Sequence, residues 1–191
     1  MKTKFKTLLA TAAVSLAFPT SAKVTLPAFF TSGMVLQHNT VVSIPCKTTP
    51  GADVTVTLSL QSEKIELKAD NEGKFTFRLE VPNASKQPFW IRFNDGETTL
   101  LNDLYSGEVW LCGGQSNMEM PMGGFDRQPA QGTNDIIAKA KASTPIRIYN
   151  TDSKDGRWIR QSSKTPQEDC LGEWLENTPE NVSHTSAAAY Y

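Results

Sequence analysis

Ser116 is the residue whose surroundings could make it reactive. It lies in the stretch EVWLCGGQSNMEMPM, residues 108–122, four residues after the apolar run EVWLC and just behind Gly113 and Gly114. A serine at a sharp strand-to-helix turn can serve as a nucleophile. The N–H groups that open a helix have no partner inside it, so they point outward and stabilise an oxyanion formed on attack. Losing one such donor typically costs about 3 kcal/mol of transition-state stabilisation. The G-x-S-x-G elbow pattern is absent, however. A serine after two glycines also reads as a plain turn residue or helix N-cap, and residue types alone leave both readings open.

A serine nucleophile needs a base, usually a histidine oriented by an acid. The chain has two histidines, His38 and His184. His184 follows Glu180 in ENVSH, and His38 reads as a surface or local structural residue. Three cysteines, Cys46, Cys112 and Cys170, are widely spaced with no C-x-x-C, so a metal site would need scattered carboxylates. No metal and no cofactor is expected. Cys46 and Cys170 could pair only if the fold brings their Cα atoms into range. Cys112, inside the apolar run, is expected as a small core residue.

The elements that must position Ser116 fall into three parts. Residues 1–22 read as a secretory signal peptide. MKTKFK is a positive n-region, TLLATAAVSLAF an apolar h-region, and PTSA offers small residues before cleavage after Ala22. The mature product is then expected outside the cytoplasm, secreted or periplasmic, with no membrane span. Removing Lys2, Lys4 and Lys6 and no acid moves the net charge from −1 to −4. That balance gives no footprint for nucleic acid and no basic patch for a membrane surface.

Residues 23–105 read as all-β. DVTVTLSL alternates Val54, Val56, Leu58 and Leu60 against Thr55, Thr57 and Ser59, the pattern of a half-buried strand. VVSI, KIELK, KFTFRLEV, PFWIRF and ETTLL are further short strands between turns such as PGAD and DNEG, which predicts a small β-sandwich. Its aromatics, Phe75, Phe77, Phe89, Trp90 and Phe93, are expected in the core, with a sugar platform as the alternative.

Residues 106–191 change character. EVWLC is predicted as an apolar strand, TNDIIAKAKAS as a helix capped by Thr133 or Asn134 and stopped before Pro145, and IRIYN as a strand. Ile136, Ile137 and Ala140 share one face of that helix. Strand, helix, strand is the βαβ pattern of a parallel sheet. TSAAAYY begins a last helix capped by Thr185 or Ser186.

GEVWLCGGQSNMEMPM resembles the nucleophile block of the sialate O-acetylesterase family in the SGNH hydrolase superfamily. LPAFFTSGMVLQ (26–37), PGADVTVTL (50–58) and SHTSAAAYY (183–191) resemble further segments of that family, so the resemblance spans essentially all of the mature chain. Gly113, where a serine is common, is a small departure. The resemblance implies a β-sandwich N-terminal domain (23–105) followed by the start of an SGNH-type α/β parallel-sheet hydrolase domain (106–191), truncated within a helix. It implies an esterase that removes acetyl groups from an O-acetylated sugar, sialic acid or another acetylated glycan. Ser116 would be the nucleophile and would give its N–H to the oxyanion hole. Gly114, Gln115 and Asn117 would hold the turn and help orient substrate. In the family the base comes from an Asp-x-x-His segment near the C-terminus of a much longer chain, so the 191-residue chain is expected to be inactive by itself. GTND (132–135) imitates the superfamily's Gly-x-Asn-Asp block but reads better as a helix cap. Two other functions fit less of the sequence. One is a secreted carbohydrate-binding β-sandwich module, whose sugar binding would survive truncation after residue 105. The other is an acetylxylan-type esterase that keeps Ser116.

Overall fold

The computed structural model describes residues 23–151, 153–154, 157–158, 165 and 169–191, and the signal-peptide assignment of residues 1–22 lies outside them. The elements run in chain order as follows. Seven strands come first: β1 (Val35–Gln37), β2 (Thr40–Lys47), β3 (Asp53–Leu58), β4 (Ile65–Lys68), β5 (Lys74–Val81), β6 (Ser85–Asn94) and β7 (Thr98–Gly107). Then follow α1 (Ser116–Glu119), α2 (Asn134–Lys139), β8 (Arg147–Asn150), β9 (Ser153–Lys154), β10 (Arg157–Trp158), β11 (Glu173–Glu176), α3 (Pro179–Ser183) and α4 (Ala187–Tyr190). Among the described residues no helix is long and apolar enough to cross a membrane.

The first seven strands form the predicted β-rich body. One sheet has the order β1-β7-β6-β3-β4, and β2 pairs antiparallel with β5 in a second. All pairs are antiparallel except β1 with β7, whose register sets Gln37 opposite Gly107. Alternation dictates what faces inward. In β3, Val54, Val56 and Leu58 are buried while Thr55 and Thr57 lie at intermediate depth, and in β5 Phe77, Leu79 and Val81 are buried between exposed neighbours. These residues join Ile44 and Cys46 of β2, Phe89, Ile91 and Phe93 of β6, and Leu101 and Leu104 of β7 in one core shared by both sheets. Leu60, beyond the end of β3, is exposed. The aromatics behave as core rather than platform: Phe77, Phe89 and Phe93 are buried and Phe75 packs against the same cluster. Trp90 is half-buried, with the Arg92 guanidinium 5.3 Å from its ring centroid.

The DNEG turn shows why its glycine is there. Gly73 has φ +77°, and a Cβ at that position would sit 2.1 Å from the Thr48 carbonyl oxygen. The Asp70 carboxylate accepts the Glu72 and Lys74 N–H groups at 2.8 Å each, and these bonds hold its carboxyl below the usual range.

The second half gathers around a smaller cluster. Met122, Ala140 and Val182 are buried, with Ile136, Ile137, Ile148, Ala187 and Tyr190 packed against them. Ile136, Ile137 and Ala140 thus share a face as their spacing requires. The polar Asn177 is 1 % exposed and fully used: its Nδ2 donates to the Lys141 carbonyl at 3.3 Å and its Oδ1 accepts from the Tyr190 hydroxyl at 2.6 Å. The cluster is joined to the β body through aromatic and ionic contacts. Trp174 of β11 donates its indole N–H to the Phe29 carbonyl at 2.9 Å, and its ring meets Phe29 at 5.1 Å and Tyr149 at 5.3 Å. Arg147 of β8 lies over the Tyr105 ring at 4.9 Å, between Asp103 at 3.5 Å and Glu176 at 3.4 Å.

Several sequence expectations fail in this half. Residues 108–112, predicted as a strand, have no regular structure. A strand exists by pairing, and among the described residues no strand pairs with this segment, so its backbone stays open. Among the described residues the parallel strand-helix-strand unit is likewise not formed: β8 pairs antiparallel with β11, through Arg147↔Glu176 and Tyr149↔Trp174. Periodicity marks a strand without naming its partner, and no clear alternation marks residues 173–176 in the sequence. Thr133 occupies the N-cap of α2 but does not cap it with its side chain; its hydroxyl donates to the Ala130 carbonyl instead, at 3.0 Å. Ser186 does cap α4, accepting the Ala189 N–H at 3.3 Å. Cys112 is exposed rather than core, because the strand meant to bury it does not form. Cys46 and Cys170 are unpaired thiols. Burial pushes the Cys46 thiol up to about 12.

Candidate active site

The chain leaves β7 at Gly107 and runs without regular structure through residues 108–114 before it turns. Gln115 takes the N-cap position with φ −121° and ψ −135°, and its carbonyl accepts from the Met118 N–H at 2.9 Å and the Glu119 N–H at 3.0 Å. That closes the single turn α1, with Ser116 as its first residue. Gly114 lets the chain fold back: a Cβ there would lie 3.0 Å from Met118 Cβ. At Gly113 a Cβ would meet nothing within 4 Å, so a serine at this position would fit without strain. Ser116, Gln115 and Asn117 are all exposed. Among the described residues, the N–H groups of Ser116 and Asn117 have no backbone acceptor, as expected for the opening of a helical turn.

Both ends of this segment are tied down. Downstream, Met122 N–H donates to the Thr185 carbonyl and Gly123 N–H to the Ser183 carbonyl, each at 2.8 Å, while the Met120 carbonyl accepts from Ala187 N–H at 2.8 Å. Ser186 adds a hydroxyl bond to Met118 Sδ at 3.1 Å. Upstream, the Glu108 carboxylate accepts from His38 Nε2 at 2.7 Å and from Gln37 Nε2 at 3.2 Å, and Gln37 Oε1 accepts the Val109 N–H at 2.9 Å.

The sequence candidates for a base are not joined to Ser116. His184 is exposed and closes α3 with its backbone N–H, bonded to the Asn181 carbonyl at 3.2 Å. Among the described residues no hydrogen bond links either histidine ring to Ser116. Asn134 of GTND opens α2 in an exposed position. Among the described residues no group of three or more His, Cys, Asp or Glu could hold a metal ion. Two surface depressions, about 460 and 510 Å³, lie on the β body and neither is lined by Ser116. The first is lined by Ser59, Asn83, Ser85 and Gln87 among others, and the second includes Arg78 and Glu80.

The Gln37–His38–Glu108 group was missed by sequence reasoning. Glu108 lies far along the chain from Gln37 and His38, and only the parallel pairing of β1 with β7 brings them together. The Glu108 carboxyl lies below the usual carboxylate range, first because His38 donates to it and then because Gln37 does. A lowered carboxyl contributes stability above the ordinary glutamate range and loses it as pH falls through the lowered value. The expected outcome is a Glu108 carboxyl titration by NMR with its midpoint below that of a free glutamate side chain, and a partial shift back toward the ordinary value in His38→Ala, where the Gln37 bond remains.

Comparison with known proteins places this geometry in context. No protein-family model matches the chain, and no curated protein sequence matches it. Among solved structures, the fold is similar to that of a carbohydrate acetylesterase from Xanthomonas citri, with a TM-score of 0.73 and 29% sequence identity over 87% of this chain. The match covers 35% of that enzyme, so the chain spans about a third of the length of the acetylesterase it resembles.

Proposed function

We propose that this chain carries the nucleophile of a carbohydrate O-acetylesterase of the sialate O-acetylesterase kind. Residues 23–105 would act as a β-sandwich support and residues 106–191 as the beginning of an SGNH-type α/β domain. The observation that carries the reading is the similarity to a carbohydrate acetylesterase over 87% of the chain. The turn at Ser116 is consistent with it, because it leaves the hydroxyl accessible and two N–H groups without backbone partners. The exposure of Trp110 (82%) and Leu111 (101%) is consistent with it, since adjacent large apolar side chains ahead of the serine require cover.

In this reading Ser116 Oγ attacks the acetyl carbonyl carbon and passes its proton to a base. The oxyanion that forms is held by the Ser116 N–H. The carbon–oxygen bond to the sugar then breaks, the departing sugar oxygen takes the proton back from the base to become a hydroxyl, and the acetyl group stays on Ser116. Water, activated by the same base, releases acetate. The base is assigned by resemblance to an Asp-x-x-His segment, and His184 is not joined to the site. The reading also holds that residues 1–22 direct export and that the mature product works outside the cytoplasm. A sugar platform on the β body is not favoured, because Phe77, Phe89 and Phe93 are buried, Phe75 packs against the core and Trp90 lies under the Arg92 guanidinium.

The test is to read the coding DNA past codon 191 and to assay the product of the complete frame for acetate release. An in-frame Asp-x-x-His segment and release from O-acetylated sialic acid support the proposal. Release from acetylated xylan alone moves the substrate to the plant-glycan class. No release from any acetylated sugar, with sugar binding retained by a chain ending at Gly107, would favour the binding-module reading.

A further inference from the structure

The turn between β1 and β2 involves Gln37, His38 and Asn39; Gln37 and His38 engage the base of the Ser116 segment, and Asn39 braces His38. Asn39 adopts φ +53°, a left-handed conformation that asparagine tolerates better than most residues. Its N–H reaches the Val81 carbonyl at 3.1 Å, which fixes the turn to the end of β5. Its side-chain amide meets His38 Nδ1 at 2.9 Å. With the amide donating there, the ring proton sits on Nε2, which donates to Glu108 Oε1 at 2.7 Å. The His38 backbone N–H donates to the Gly107 carbonyl at 3.0 Å. Gln37 completes the arrangement, donating to Glu108 and accepting from Val109 in the same side chain. Residues 107, 108 and 109 are therefore each held by this turn, while residues 120, 122 and 123 are held by the segment 183–187. Ser116 lies on the span between the two anchors.

We infer that Gln37 and His38, acting through Glu108 and the Val109 N–H, are positioning residues that set the path of the Ser116 segment. This deepens the esterase reading of Ser116 and rests on it. None of the three side chains touches the reacting atoms. Their effect is on where the serine is presented, and a misplacement of about 1 Å can cost on the order of 100-fold in rate.

The experiment uses the full-length protein with Gln37→Met, which keeps side-chain length but removes both hydrogen bonds, and His38→Ala as a milder second variant at a partly exposed site. Each is compared with wild type and with Ser116→Ala. Three quantities are read: kcat and KM on 4-nitrophenyl acetate, the rate of Ser116 labelling by a fluorophosphonate, and amide exchange at Val109. The expected result is a kcat lowered about 10- to 100-fold with KM within about twofold, labelling slowed in parallel, and faster Val109 exchange. In the Gln37→Met/Glu108→Ala double variant the losses should not multiply, because both remove one network. Wild-type kcat and labelling in both single variants, with Ser116→Ala inactive, would overturn the positioning role and leave the esterase reading standing. Full activity of Ser116→Ala would overturn both.

Discussion

Ser116→Ala is expected to lower kcat for acetyl-ester hydrolysis by about four to six orders of magnitude while leaving KM and the fold nearly unchanged. The size follows from the chemistry. In the proposed mechanism no acetyl-enzyme forms without Oγ, and what remains is binding plus whatever the oxyanion donors contribute to direct attack by water. The structural neutrality follows from geometry: Ser116 is exposed, and α1 is closed by the Gln115 carbonyl through the Met118 and Glu119 N–H groups, not by the serine side chain. Acetate release from an acetylated sugar, followed on the product of the complete reading frame, is the measurement. Asn134→Ala serves as the contrast. Asn134 is exposed at the start of α2, and its replacement should leave kcat within about twofold, an ordinary surface effect. A Ser116→Ala variant that kept a tenth of wild-type activity would remove the serine from the mechanism.

Phe93→Ala is expected to destabilise the β body by about 3–5 kcal/mol. Phe93 is fully buried on β6, opposite Val56 of β3 and Thr99 of β7. Its ring meets Phe77 of β5 edge-to-face, with centroids 5.6 Å apart and planes at 87°. Because β5 belongs to the second sheet, this contact spans the core between the sheets, and truncation removes both the buried area and the edge-to-face pair. Urea unfolding followed by circular dichroism should show the midpoint falling by about 2 M at an unchanged slope. Leu60→Ala, at a site that is 42% exposed, should move it little. An unchanged midpoint for Phe93→Ala would mean that the core is not packed through this residue.

Much of the β body was legible without coordinates. A two-residue period in DVTVTL and KFTFRLEV, broken by PGAD and DNEG, is enough to place strands and turns, because one face of each strand must be buried and glycine alone tolerates the turn at Gly73. The turn at Ser116 was legible too, from two glycines followed by a short helical stretch. The partners were not. EVWLC reads as a strand by composition, yet residues 108–112 join no strand among the described residues, and Cys112 is exposed as a result. IRIYN found an antiparallel partner in residues 173–176, which no local pattern had marked.

By itself, then, the sequence determined the alternation that builds the β body, the glycine-led turn at Ser116 and the resemblance that proposes a chemical meaning for it. The tertiary structure decided which distant residues meet. Gln37 and His38 reach Glu108 only because β1 runs parallel to β7, and Trp174 reaches Phe29 only because β11 packs back on the β body. Local periods are set by backbone geometry that each residue carries with it. Long-range pairing is set by the free energy of burying whole faces together, and that quantity belongs to no single segment of the chain.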